Sequence, residues 1–343
     1  MINIACPKIG MAEANAIISV IRSKNLIQGE KVEEFETKFA EYIGVRYAIA
    51  CSNGTSALHI AYMCSNLHTG DSVITTPFTF KSTISMLEAL GVTIKYVDIK
   101  DDFNIDEEQI EKAIDKTTKA IVPVHLFGKP CNMNKIMEIA KKHDLKVIED
   151  CAQACGAMIR KKKVGSIGDI GTFSFYPTKI MTTGEGGMIT TNDKAVMEKA
   201  KQIRNLGMNN KGEFVTEGFN YRMTDISAAI GIEQLDKIEN FIYTREQIGN
   251  SYNYYLEGHV PTVAVDDNTR HVFNNYSFRV KNRKMFIANL NANGVDVRVY
   301  YNKSFANLPN VSKICKEIVS IPIRPNLTTD EMNHIIYNIH EAF

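Results

Sequence analysis

The 343-residue chain has no apolar run approaching the ~20 residues of a spanning helix, which sets aside a helical integral membrane protein. Its first residues, MINIACPKIGMAEANAII, lack a basic segment followed by a sustained apolar stretch, so no secretory leader is read there. An excess of one charge is missing too: 40 basic and 39 acidic residues leave a net charge of +1. Nonspecific gathering of nucleic acid or anionic membrane is thereby disfavoured, and any anion must be bound locally. The seven cysteines, at 6, 51, 64, 131, 151, 155 and 315, are odd in number and scattered, which suits a reducing compartment rather than a disulfide framework. Cys151 and Cys155 are the only close pair, and no second pair or nearby histidine completes four metal ligands. The expectation is a cytoplasmic protein with no metal, no nucleic acid and no membrane as partners. Two nucleotide signatures are absent as well. GEGG at 184–187 completes no G-x-G-x-x-G and leads into a strand pattern, and no G-x-x-x-x-G-K-[ST] occurs.

With 44% hydrophobic and 23% charged residues, the chain is long enough for roughly two domains, each with its own core. Helical spacing marks 13–22 and 31–43, the second with Val32, Phe35, Phe39 and Ile43 along one side. Strand patterns at 47–51, 72–75, 93–97, 119–124, 146–149, 170–175 and 187–191 alternate with helical ones at 55–64, 81–90, 106–114, 132–143 and 194–203. This is βα alternation, and it predicts an α/β fold with a mainly parallel central sheet flanked by helices. One long helical pattern runs from Asp225 to about Gly258, long enough to bridge two domains. Past Pro261 the character changes to a strand in NNYSFRV, a helix at 284–293, a short strand around 295–300 and a last helix at 328–342. The division expected is a large domain, 1–240, and a smaller α+β domain, 241–343.

Three turns carry candidate chemistry. SNGTS, 52–56, joins a strand to a helix start, where Gly54 permits close approach and Thr55 and Ser56 offer hydroxyls. That is either a phosphate site or an ordinary N-cap. KVIEDCAQACGA, 146–157, brings Glu149 and Asp150 to the carboxyl end of a presumed parallel strand, where open α/β sheets bind ligands. Asp150 either holds a cationic ring nitrogen or caps the next helix, and Gln153 reaches the same ligand or completes a capping box. In GTFSFYPTKIMTTGEGGMITT, 171–191, Lys179 follows an aromatic run broken at Pro177, with Ser174 five residues before it. A lysine there is either a solvated surface residue or an amine that has lost its charge and can attack a carbonyl. A phosphate turn, a carboxylate 29 residues before a lysine, and the lysine itself suit pyridoxal 5′-phosphate, PLP.

These strings, with LIQGEKVEEFETKFAEYIG, DSVITTPFTF, AIVPVHLFG, GFNYRMTDISAAIGIEQL and IVSIPIRPNLTTDEM, resemble the DegT/DnrJ/EryC1/StrS family of PLP-dependent sugar aminotransferases nearly end to end. The resemblance implies the aspartate aminotransferase fold, fold type I. It implies that Lys179 forms the internal aldimine and then acts as the base, that Asp150 partners the pyridine nitrogen, and that Gln153 lies near the ring hydroxyl. Gly54, Thr55 and Ser174 match the phosphate site, and Phe80 matches the aromatic that stacks on the ring. Asn220 matches an asparagine that reaches the phosphate from the other subunit, so a homodimer with shared sites is implied.

The implied reaction is ping-pong transamination from an amino acid, usually L-glutamate, to a nucleoside-diphosphate-linked 3- or 4-keto sugar. Glu185 is either a substrate-facing residue or a solvated turn acid. Three departures fall on the sugar side: VYYNKSFANLP at 299–309 in place of a His-Tyr-Pro string with a longer loop, and Asn274 and Leu206 where histidine is frequent. Two alternatives are a sugar dehydratase of the same family, which the presence of Lys179 disfavours, and a cofactor-binding regulatory protein without turnover. No helix-turn-helix or basic arm flanks the pattern, which disfavours the second.

Overall fold

The computed structural model describes residues 1–258, 260 and 268–343. Helix α1 (Met11–Ser23) begins where the Glu13 carboxylate accepts from the Gly10 N–H at 2.9 Å, two residues before the apolar spacing predicts. Helix α2 (Glu30–Ile43) buries Val32, Phe35, Phe39 and Ile43 as its periodicity requires, and ends at Gly44 in the left-handed region, φ 85°. Strand β1 (Tyr47–Cys51) then leads through Asn53, whose side chain accepts the Ser56 N–H at 2.8 Å, into α3 (Gly54–Cys64).

The alternation continues through β2 (Ser72–Thr75), α4 (Lys81–Ala89), β3 (Thr93–Tyr96), α5 (Glu107–Ile110), β4 (Thr118–Val122), α6 (Met133–Lys142) and β5 (Lys146–Asp150). Two short strands, β6 (Met158–Ile159) and β7 (Lys162–Lys163), precede β8 (Ile170–Ser174), β9 (Gly187–Thr191) and α7 (Lys194–Arg204). Seven strands form the main sheet in the order β1-β9-β8-β5-β4-β2-β3. Pairs from β3 through β8 are parallel, while β9 runs antiparallel to both β8 and β1. Phe35 and Phe39 of α2 meet Phe173 and Phe175 with ring centroids 5.1 to 5.4 Å apart, fixing α2 over one face of the sheet.

The expected long helix is two helices, α8 (Asp225–Leu235) and α9 (Ile238–Tyr255), separated at Asp236 and Lys237. The backbone keeps helical dihedrals at the junction, so no glycine or proline marks it, and Leu235 and Ile238 both turn into the same core. Strand β10 (Thr269–Arg270) joins β6 and β7 in a small sheet that the sequence reading did not include. Then follow β11 (Tyr276–Arg279), α10 (Arg283–Ala292), α11 (Pro309–Glu317), β12 (Ile318–Ile321) and α12 (Thr329–Glu341). The strand expected around 295–300 is not formed. Val295 bridges to Ile2 and Arg298 to Ser320, two different partners that leave no continuous ladder.

Strands β11 and β12 pair antiparallel over a separate apolar cluster that includes Tyr252, Phe278, Phe286, Leu290 and Ile335. Helix α9 serves both cores: Ile238 and Ile242 pack in the first, Ile248 and Tyr252 in the other. The 240/241 division falls inside this helix, and Pro261 lies outside the described residues. Among the described residues no helix is long and apolar enough to cross a membrane.

Close packing of α8 on α2 yields a test. A Cβ on Gly231 would lie 2.7 Å from the ring of fully buried Phe35. Alanine gains about 1 kcal/mol in helix propensity over glycine, but overpacking a ring that cannot retreat costs roughly 1–3 kcal/mol. Gly231→Ala is therefore expected to lower the urea midpoint, and a raised midpoint would show that the α2–α8 contact yields.

Candidate active site

Strand β9 gathers the site. Its first residue, Gly187, pairs with Cys51 at the end of β1 and with Ser174 at the end of β8, so both strand ends open at one edge of the sheet. Only glycine fits there, because a Cβ on Gly187 would lie 2.3 Å from the Asn53 carbonyl oxygen. Gly54 is equally constrained: its Cβ would meet Ser174 Cβ at 2.7 Å. The start of α3, where the Ser56 N–H is taken by Asn53 and those of Gly54 and Thr55 precede the first intrahelical bond, is thus set against the Ser174 hydroxyl. Thr55 Oγ1 lies 2.7 Å from Ser82 Oγ on α4.

Asp150 ends β5 at the same edge and is 4% exposed. Its Oδ2 accepts from the Thr83 hydroxyl at 2.8 Å and its Oδ1 from the Ala152 N–H at 3.1 Å. Because the Thr83 proton goes to the carboxylate, Thr79, 2.8 Å away, donates to Thr83. Burial raises the Asp150 carboxyl above its ordinary value, while these bonds and the charge of Lys179 pull it back down. Lys179 is half-buried where it lines the cavity. Burial pushes its ammonium down to about 8, with the Asp150 charge opposing.

Lys179 and Asp150 border a cavity of about 710 Å³, together with Gly54, Thr55, Phe80, Gln153 and Ser174. Phe80 is 60% exposed, so an aromatic that composition alone would place in the core leaves a ring face for a ligand. Glu185 and Asn274 also line this cavity. Asn220 and Leu206 are exposed and lie outside their own chain's cavity, on a segment held by a bridge between Asn205 and Asn220.

Several neighbours escaped the sequence reading. Thr79 and Thr83 stand four residues apart, a spacing that places two hydroxyls on one side of a helix start and could have been noticed. Tyr301 had no such signal: its hydroxyl meets Gln153 Nε2 at 3.0 Å from 148 residues away. His125 is fully buried, and its Nδ1 accepts the Cys131 N–H at 3.0 Å, so Nε2–H donates to Glu149 Oε2 at 3.1 Å. Glu149 Oε1 takes two more N–H groups, from Ile167 and Gly168. Burial alone would raise this carboxyl, but the His125 and backbone bonds outweigh it and hold it low. Cys151 Sγ lies within 4.8 Å of the His125 and Glu149 ligand atoms, yet a metal there would have to displace bonds already made.

A lysine amine and a buried carboxylate on one cavity wall, beside a helix start, at the carboxyl ends of α/β strands make a candidate site for chemistry at a lysine amine. The DegT/DnrJ/EryC1/StrS aminotransferase family model matches residues 7–340, and the chain belongs to that PLP-dependent family. The chain is 37% identical to a GDP-perosamine synthase of Caulobacter vibrioides, covering 98% of this chain and 96% of that protein. It is 36% identical to a protein of Geobacillus stearothermophilus named pleiotropic regulatory protein, covering 94% and 92%. The structure of Spr1654 from Streptococcus pneumoniae, solved in PLP and PMP forms, is similar with a TM-score of 0.93 at 25% identity, covering 99% and 98% in the PLP form.

A lysine held at about 8 against an ordinary 10.5 binds fewer protons folded than unfolded between those values. Its penalty on folding is full below pH 8 and is relieved as pH rises to 10.5. Lys179→Met should therefore raise the melting temperature of the cofactor-free protein near neutrality by roughly 2 °C, with the gap closing as pH rises. A pH-independent gap would mean the amine is solvated.

Proposed function

We propose that this aminotransferase binds PLP and transfers an amino group from an amino acid, L-glutamate by preference, to a keto sugar carried on a nucleoside diphosphate. The observation that carries this reading is the cavity wall that sets the Lys179 amine with the buried Asp150 carboxyl, beside the Gly54–Ser174 contact. The residues present fit the cofactor. Burial raises the Asp150 carboxyl, and a protonated ring nitrogen would supply the positive charge that returns it to the ionised form. The N–H groups at the start of α3, with the Thr55 and Ser174 hydroxyls, are donors suited to a phosphate. Phe80 offers an exposed ring face that would stack on the cofactor, and Gln153 an amide that would donate to its ring oxygen.

When bound, PLP supplies a carbonyl for amine exchange and an electron sink for the carbon beside it. The chain's own part is proton handling. Lys179 Nζ is neutral in a useful fraction near its value of about 8, so with PLP bound it would move a proton from the donor's α-carbon to the cofactor's carbonyl carbon, and in the second half-reaction one from that carbon to the sugar carbon. Asp150 stays in place through its Thr83 and Ala152 bonds. Residues 1–240 would hold the cofactor and 241–343 form the smaller unit, with α9 shared between their cores. Asn220 would reach the phosphate site of a second copy in a homodimer.

The name of the Caulobacter relative supports a nucleotide-sugar acceptor, and that of the Geobacillus relative keeps regulation without turnover as the second reading. Incubating the protein with PLP, glutamate and a panel of 3- and 4-keto-sugar nucleotides separates them. Production of 2-oxoglutarate and amino sugar is expected; reaction with small keto acids only would sink the sugar reading, and no reaction at all would favour regulation.

Two variants test the roles. Borohydride treatment should fix PLP to the wild-type peptide containing Lys179, whereas Lys179→Ala should show no fixation and lose roughly 10³-fold or more in turnover. Asn220→Ala should weaken PLP retention about 10-fold, as expected for loss of one bond to a charged group, with the melting temperature of the cofactor-free protein unchanged. Undiminished retention would count against a site shared between subunits.

A further inference from the structure

Tyr301 stands on the 299–309 segment, where the sequence departs from its relatives on what was expected to be the sugar side. The hydrogen bonds around it fix a direction that the position alone does not. Phe127 is a non-glycine residue in the left-handed region, φ 56°, and its N–H donates to Gln153 Oε1 at 2.9 Å. An N–H on that oxygen identifies the other amide atom as Nε2, which only donates. The Tyr301 hydroxyl, 3.0 Å from Nε2, is therefore the acceptor of that bond. Its own proton finds no acceptor among the described residues, and the residue lines the same cavity as Lys179 and Asp150. The ring is held by Phe78, edge to face with centroids 5.6 Å apart, so the hydroxyl cannot swing far. Burial, against a smaller lowering by the Gln153 bond, raises the phenol above its ordinary value, so the proton stays on it throughout the working range.

Gln153 Nε2 has a second proton, also uncommitted among the described residues. Two donors 3.0 Å apart on the wall of one cavity suit a single oxygen that bears negative charge. We propose that the Tyr301 hydroxyl donates a hydrogen bond to the ring oxygen of the cofactor and that Gln153, which it orients, donates the second. This rests on the PLP reading above. It moves the 299–309 segment from sugar selection to cofactor tuning, and it joins the smaller unit to the cofactor through one side chain.

Tyr301→Phe removes the donor and keeps the ring against Phe78, so the fold should persist; an unchanged melting temperature of the cofactor-free variant checks this. The readout is the pH titration of the holoprotein's visible absorbance, which follows the proton shared between Lys179 Nζ and the ring oxygen. Without one donor the oxygen becomes more basic and holds that proton to higher pH. The midpoint should rise by about one unit, and Gln153→Ala should shift it in the same direction. An unmoved midpoint with a raised KM for the keto sugar would overturn the assignment and return Tyr301 to the substrate. If wild-type protein takes up PLP with a titrating band and only the Tyr301 variant fails to shift, this inference falls alone. A wild-type protein that binds no PLP would bring down both readings.

Discussion

The site depends on one backbone constraint, the close approach of Gly187, Gly54 and Ser174. Strand β9 is antiparallel to both its neighbours, so its first residue meets the last residues of β1 and β8 together. That geometry delivers a helix start and a hydroxyl to one point, and it leaves no room for a Cβ on either glycine. Lys179 follows β8 by only a few residues, so the same constraint sets how far the amine lies from the start of α3. Exposed turn glycines nearby, such as Gly184 at φ 81°, serve only to reverse the chain.

Adjacent carboxylates on β5 show how a strand separates structural from chemical charge. Successive side chains point to opposite faces. Glu149 faces His125 and two backbone N–H groups and is held low as a carboxylate; Asp150 faces the cavity, receives fewer donors, and is raised. A carboxylate already satisfied by the protein has little left to offer a ligand. One left short of positive charge at a cavity wall is where a cation would gain most.

Much of this was legible in the sequence because it is local. The helical periodicity of α2 appears in the spacing of Val32, Phe35 and Phe39, and each expected strand of the main sheet lies within a residue or two of its place. Lys179, Asp150, Gly54, Thr55, Phe80, Gln153 and Ser174 share one cavity, since each follows or ends a strand whose carboxyl end opens on it. What could not be read is non-local or lacks punctuation. The α8–α9 break keeps helical dihedrals, β10 pairs with β6 over a separation of about a hundred residues, and the Tyr301–Gln153 bond has no periodicity to betray it. Helix α11 begins at Pro309 with Pro at its first position, a start signal overlooked within a segment read only as a loop.

The segment that carries Asn220 argues for a partner on physical grounds. Phe214 is 74% and Phe219 38% exposed, with Leu206 and Val215 also exposed. Bridges between Met208 and Phe214 and between Asn205 and Asn220 hold these residues in a formed arm. Phe219 stacks on Tyr221 with centroids 5.1 Å apart and packs near His59 of α3, the helix whose start lines the cavity. An ordered arm that keeps large apolar side chains in water loses hydrophobic stabilisation unless another surface covers them. The homodimer proposed above would supply that cover, and the same contact would bring Asn220, which lies outside its own chain's cavity, to the cavity of the partner.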